Sequence, residues 1–257
     1  MPKMGAKLMK TLSRRSLYVI IALAIVILLP VVYFFVLRTP DSNYQAAIDQ
    51  IANLQDSTKK IDGELSITTY VAAVDSTTLD NIRSASDEFD KLSDFSDSIV
   101  ATDSVVNQTY KQYRDQITTY STQIDNLVAG IDTYLAIVDT CQTATGNIPQ
   151  TTTAATFDTA TKDCSDKIDS LTDVPSSNFK NDFLTPYAAA VTDYVTALKR
   201  YTTTTTKQSS ESAVTRAYTK IITLGNQTID YGIAPLKSEV FDALRSVIVS
   251  QKSALLR

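Results

Sequence analysis

Residues Val106–Cys141, VNQTYKQYRDQITTYSTQIDNLVAGIDTYLAIVDTC, decide the fold. Within them Val106, Tyr110, Tyr113, Ile117, Tyr120, Ile124, Leu127, Ile131, Tyr134, Val138 and Cys141 follow one another at intervals of 4 and 3 without a slip. That rhythm places every one of these side chains on a single helical stripe. Five heptads of it make a helix roughly 55–60 Å long. Gly130 is its one weak interior position, costing about 1 kcal/mol against Ala.

A helix with one apolar stripe must bury it on similar stripes, and the rest of the chain supplies them. One runs through Phe183, Tyr187, Val191 (or Ala190), Tyr194, Leu198 and Tyr201. Two more cover Tyr44, Ile48, Ile51, Leu54, Ile61, Leu65 and Leu79, Ile82, Phe89, Leu92, Ile99. The last takes Val214, Tyr218, Ile221 and then Leu236, Val240, Leu244, Val247 and Ile248, and is broken near Gly225 and Gly232. A short piece runs from Phe157 through Cys164 and Ile168 to Leu171. The fold class expected is all-α, an elongated antiparallel helical bundle with coiled-coil-like packing. Its helices are expected at about 41–73, 77–99, 103–142, 155–172, 177–206 and 209–251.

The breaks at Asp75-Ser76-Thr77 and Thr102-Asp103-Ser104 rest on capping residues alone, since no Gly or Pro lies between Gly63 and Gly130. They are favoured because a continuous helix would place Asp75, Ser86 and Asp103 in the seam. The run Thr202–Thr206 reads as a loop. With 35 Thr and 24 Asp but 4 Glu, intrinsic helix propensity is poor, so interhelical packing must carry the stability.

Ahead of the bundle, Leu17–Leu37 reads LYVIIALAIVILLPVVYFFVL without a charge. These residues suffice for a helix of roughly 31 Å, matching a bilayer core of about 30 Å. Lys3, Lys7, Lys10, Arg14 and Arg15 precede it with no acid among them. The positive-inside rule therefore puts residues 1–16 in the cytoplasm as a short basic tail, 17–37 across the membrane, and 38–257 outside. A cleaved signal peptide is the rival, but its apolar region is usually about 7–15 residues and ends at a small-x-small site. Here the segment leaves through Phe34-Phe35-Val36-Leu37-Arg38, so an uncleaved signal-anchor is expected. No second apolar stretch of spanning length follows, and the cytosolic tail is too short to fold or to carry an output module.

The formal net charge of −4 therefore averages two unlike parts. Six of the 24 Lys and Arg lie in residues 1–38, leaving 18 against 28 acids, or −10, outside. That charge disfavours nucleic acid, which needs a basic footprint. The absence of His removes Ser-His-Asp catalysis, His-ligated zinc and the histidine pH switch. No nucleophile elbow, phosphate loop, dinucleotide fingerprint or C-x-x-C occurs, so neither enzyme activity nor a cofactor or metal is expected.

Cys141 ends the long seam and Cys164 lies one helix further on. Outside a membrane two thiols flanking one loop oxidise to a disulfide. Tyr187, Tyr194 and Tyr201 recur at heptad spacing and read as core, with an exposed aromatic strip for a partner as the sharper alternative. Asp87, Asp90, Asp94 and Asp97 form an acidic stripe, which reads as a solvated face, with weak divalent-cation bridging or docking of a basic partner as the alternatives. The partners expected are the lipid bilayer, through residues 17–37, and a protein at the cell envelope, with a homo-oligomer left open. The role expected is structural, scaffolding or interaction. One N-terminal anchor followed by long amphipathic helices also resembles, in layout, the exterior four-helix-bundle domains of bacterial chemoreceptors and sensor kinases. That likeness implies ligand sensing, here acting through a partner membrane protein.

Overall fold

The computed structural model describes residues 41–93, 99–205 and 207–255. The expected membrane segment 17–37 lies outside them, and among the described residues no helix is long and apolar enough to cross a membrane. Helix α1 (Asp41–Ile67) ends in a 3-10 turn at Val71–Ala73, and α2 (Ser76–Ser93) returns beside it. A single turn, α3 (Ile99–Thr102), leads into α4 (Ser104–Gly146), 43 residues and about 64 Å long. Next come α5 (Ala154–Ala160), α6 (Lys162–Asp169) and a 3-10 turn at Ser170–Asp173. A π-helical stretch, Phe179–Leu184, runs directly into α7 (Thr185–Thr203). Helices α8 (Gln208–Gly225) and α9 (Ser238–Leu255) finish the chain. Among the described residues the only β-type contact is an isolated bridge between Tyr70 and Thr228.

Side-chain bonds fix how the helices run. The Tyr44 hydroxyl donates to Asp103 at 2.8 Å and the Tyr120 hydroxyl to Asp62 at 3.4 Å, so α1 and α4 are parallel. Between α2 and α4 the order reverses, with Arg83 on Asp132, Ser86 on Asp125 and Ser121 on Asp90. Lys252 reaches Gln45, which brings the end of α9 back to the start of α1. The first half of α4, with α1, α2 and α9, thus forms one four-helix bundle.

The second half of α4 runs on past that bundle and enters another. There α6 is tied to it by Cys141–Cys164, α7 meets it through Tyr134 and Tyr187, and α8 lies against α7 through Lys220 and Asp193. Two bundles therefore stand end to end on one shared helix. The burial pattern of α4 records the change of partner. Val106, Ile117, Tyr120, Ile124, Leu127 and Ile131 are buried as the heptads require, but Gly130 and Ile137, off that stripe, are buried too. A straight helix drifts about 20° per heptad, so a second bundle meets a slightly rotated face.

At the junction Gly130 has a purpose that its propensity hides. A Cβ there would stand 3.0 Å from the Phe179 ring, so glycine lets the π-helical stretch close onto α4. Phe179 and Phe183 pack around Tyr134, at 6.3 and 5.3 Å between ring centres, and Phe179 stacks over Tyr231 at 6.2 Å. The Tyr231 hydroxyl donates to the Thr68 carbonyl at 2.7 Å, and Ile229 N–H donates to Thr69 O at 3.0 Å. The segment between α8 and α9 thereby straps the second bundle to the end of α1. Gly232, at φ 64°, makes its turn where any side chain would strike Asn178.

The structure differs from the sequence expectation at several ends. The stretch 209–251, expected as one helix, is two, and the strap at 226–237 that separates them lies where the seam was expected to break, near Gly225 and Gly232. The stretch 155–172 is interrupted at Thr161, whose buried hydroxyl donates back to the Phe157 carbonyl. Helix α7 ends at Thr203, short of the expected 206, yet it takes in the first two threonines of the run read as a loop, whose hydroxyls bond the Leu198 and Lys199 carbonyls one turn back. Breaks do occur at Asp75, which accepts from Thr78 N–H, and at Asp103, which accepts from Val105 and Val106 N–H. Ser86, however, sits in the seam and is satisfied there by Asp125, so its polarity argues for no break.

Candidate functional site

Cys141 and Cys164 are bonded, with Sγ atoms 2.05 Å and Cα atoms 4.6 Å apart. Both are buried, so the bond staples α6 to α4 inside the second bundle. Beside it the bundle is open. Helix α8 leans on α7 and leaves a gap facing α4, and this gap is a cleft of about 360 Å³. From α4 come Ile137, Val138, Cys141 and Gln142; the floor is Tyr187, Val191 and Tyr194 of α7. Tyr218 and Ile222, one turn apart on α8, close the far side.

The three tyrosines at heptad spacing part company here. Tyr187 is buried, its ring 5.1 Å from Tyr134 and 5.4 Å from Phe183, so its inner side belongs to the core while its edge reaches the cleft. Tyr194 is half-buried and lines the cleft, its ring 5.8 Å from that of Tyr218. Tyr201 stands apart from the cleft, with the Lys207 ammonium 5.1 Å above its ring. Burial, and then the neighbouring Tyr134, pushes the Tyr187 phenol above its ordinary value. Burial, then Tyr218, does the same for Tyr194. Both hydroxyls are therefore protonated at neutral pH and free to donate.

Tyr218, placed in a buried seam by its spacing, is instead 53% exposed, with Ile222 at 48%. Helix α8 packs mainly on one neighbour, so only its Ala217 and Leu224 face is covered. A signal for this does exist in the sequence: a helix whose apolar residues are too many for one contact face leaves some in solvent.

The acidic stripe is divided. Asp87 and Asp90 lie on the exposed side of α2, with Asp90 accepting from Ser121 at 2.6 Å; Asp94 and Asp97 lie outside the described residues. Although Asp125 is exposed overall, partial burial of its carboxyl at the α2–α4 seam, then Asp90, then Asp87, holds it above the ordinary carboxylate range, and the Ser86 bond only partly offsets this. Among the described residues no group of His, Cys, Asp or Glu is arranged to hold a metal ion. The chain matches no protein-family model, no curated protein and no solved structure. What the cleft offers chemically is apolar area, three phenols, one amide and the Thr145 hydroxyl, which already donates to the Cys141 carbonyl.

Proposed function

We propose that this chain is a membrane-anchored extracytoplasmic helical module that holds a contact surface for an envelope partner clear of the bilayer. One observation carries this reading: two bundles share α4 end to end, and the start of α1 lies at the far end from the cleft. With an anchor at residues 17–37 entering α1, the first bundle stands next to the membrane and the second projects beyond it. The five Lys and Arg residues within 1–16 support the same orientation.

A cysteine introduced at exposed Thr219 tests the orientation. In intact cells a membrane-impermeant maleimide should label Thr219→Cys, whereas Lys7→Cys should label only after permeabilisation. The reverse pattern would overturn the reading. Purification from detergent should then bring down a stoichiometric envelope protein.

Sensing through a partner membrane protein is a second reading, and one observation favours it. Tyr187 lines the cleft and touches Tyr134 and Phe183; Phe179 touches both of those rings and Tyr231, which bonds the end of α1. A contiguous set of packed rings is a physical route by which cleft occupancy bears on α1. Co-purification of receptor or kinase components would favour this reading over scaffolding.

A further inference from the structure

The cleft between α4, α7 and α8 has properties that narrow what enters it. Its volume of about 360 Å³ falls in the range of small-molecule sites, roughly 300–1,000 Å³. Two turns of a partner helix 10–12 Å across would fill on the order of 1,000 Å³, so a docked helix fits poorly. None of the side chains lining the cleft is charged, although the chain outside residues 1–38 carries −10. A charged ligand would lose hydration there with no counter-charge to replace it.

The lining also has a shape preference and a polar one. The Tyr194 and Tyr218 rings, tilted at 47° to each other, present aromatic surface to flat apolar bodies. The Tyr187 and Tyr194 hydroxyls and the Gln142 amide make no hydrogen bond to other described residues, so each is available to a guest. Finally, Tyr218 and Ile222 are two of the few large apolar side chains left exposed among the described residues, and both face this cleft. A module with no use for that surface would gain solubility by replacing them.

We propose that this cleft binds a small neutral molecule built on a flat ring, with a hydrogen-bond acceptor such as a carbonyl or hydroxyl oxygen at its edge. The proposal rests on the second bundle being the contact end of the molecule, and it names the ligand class for that end.

Benzophenone, a neutral ring ketone that cross-links where it binds, is the probe, applied to the full chain in detergent with peptide mapping by mass spectrometry. Labelling should saturate, compete with p-cresol, and fall within 137–146, 187–194 or 218–222. The Ile222→Asp variant, altered at a half-exposed site, should lose labelling at least tenfold with an unchanged melting temperature. If that variant melts lower, Tyr218→Ala replaces it and should show the same loss. The anionic 4-benzoylbenzoate should label at least tenfold less than benzophenone. Labelling that does not saturate, is confined to 17–37, is indifferent to both variants, or is equal for the anion overturns the proposal. Because the readout is the cleft alone, it can fail while the membrane orientation stands, and the maleimide pattern can fail while the cleft still labels.

Discussion

At the scale of single residues, the positions that shape the molecule are those where a local rule yields to a neighbour. Gly130 looks like a defect in a long helix, yet the Phe179 ring occupies the space its side chain would need. Gly63 sits in α1, where a Cβ would meet nothing within 4 Å, so it obeys the propensity rule alone. Gly63→Ala should therefore stabilise by about 0.5–1 kcal/mol, whereas Gly130→Ala should lose that gain or destabilise. Equal stabilisation by both, measured by urea unfolding, would show that the junction does not close as described. Asp125 makes a second residue-scale prediction. Its carboxyl is raised above 3.8, so the folded state holds its proton more firmly than the unfolded state. Stability from this group is thus lost as pH rises from the ordinary carboxylate value through the raised one. Asp125→Asn, which keeps an acceptor for Ser86, should melt higher than the parent at pH 7, and the difference should vanish below about pH 3. A difference independent of pH would remove the burial and like-charge explanation.

At the scale of elements, much was legible and the exceptions have physical causes. The heptads of α4 marked its length, and Asp75 and Asp103 marked helix starts because a carboxylate can accept the unpaired N–H groups of a first turn. Hidden from sequence was how threonine survives in helices: its hydroxyl bonds the carbonyl one turn back at Thr133, Thr145, Thr192 and Thr219, among others. Equally hidden was the π-helical stretch before α7. Pro186, near the start of α7, has no N–H to give the preceding turn, and a wider turn accommodates it. The disulfide was legible from the spacing and from the compartment expected for the chain, and its energetic reach is local. Joining residues 23 apart is worth roughly 3 kcal/mol in the chain-entropy model. Reduction should therefore raise amide exchange in α6 and the second half of α4, and leave α1, α2 and α9 as they were. A uniform rise across both bundles would mean that the two unfold as one unit.

At the scale of the whole molecule, the all-helical class followed from periodicity, but the arrangement of two stacked bundles did not. A heptad stripe says that a face is buried without saying by which partner, and α4 changes partners midway without interrupting its stripe. The cleft is hidden from sequence for a related reason: Tyr194 and Tyr218 satisfy the same spacing as core residues, and only the position of α8 leaves them open. The unbroken α4 shared by both bundles is what the proposed spacing between a contact surface and an anchor depends on. Spin labels at exposed Lys111 and Thr143, introduced as cysteines while the native pair stays bonded, measure it by pulsed dipolar spectroscopy. An unbroken α4 predicts one narrow distance near 48 Å, plus the reach of the labels. A distance below roughly 30 Å would mean that the chain folds back near Gly130 into a single shorter bundle, and would contradict the account.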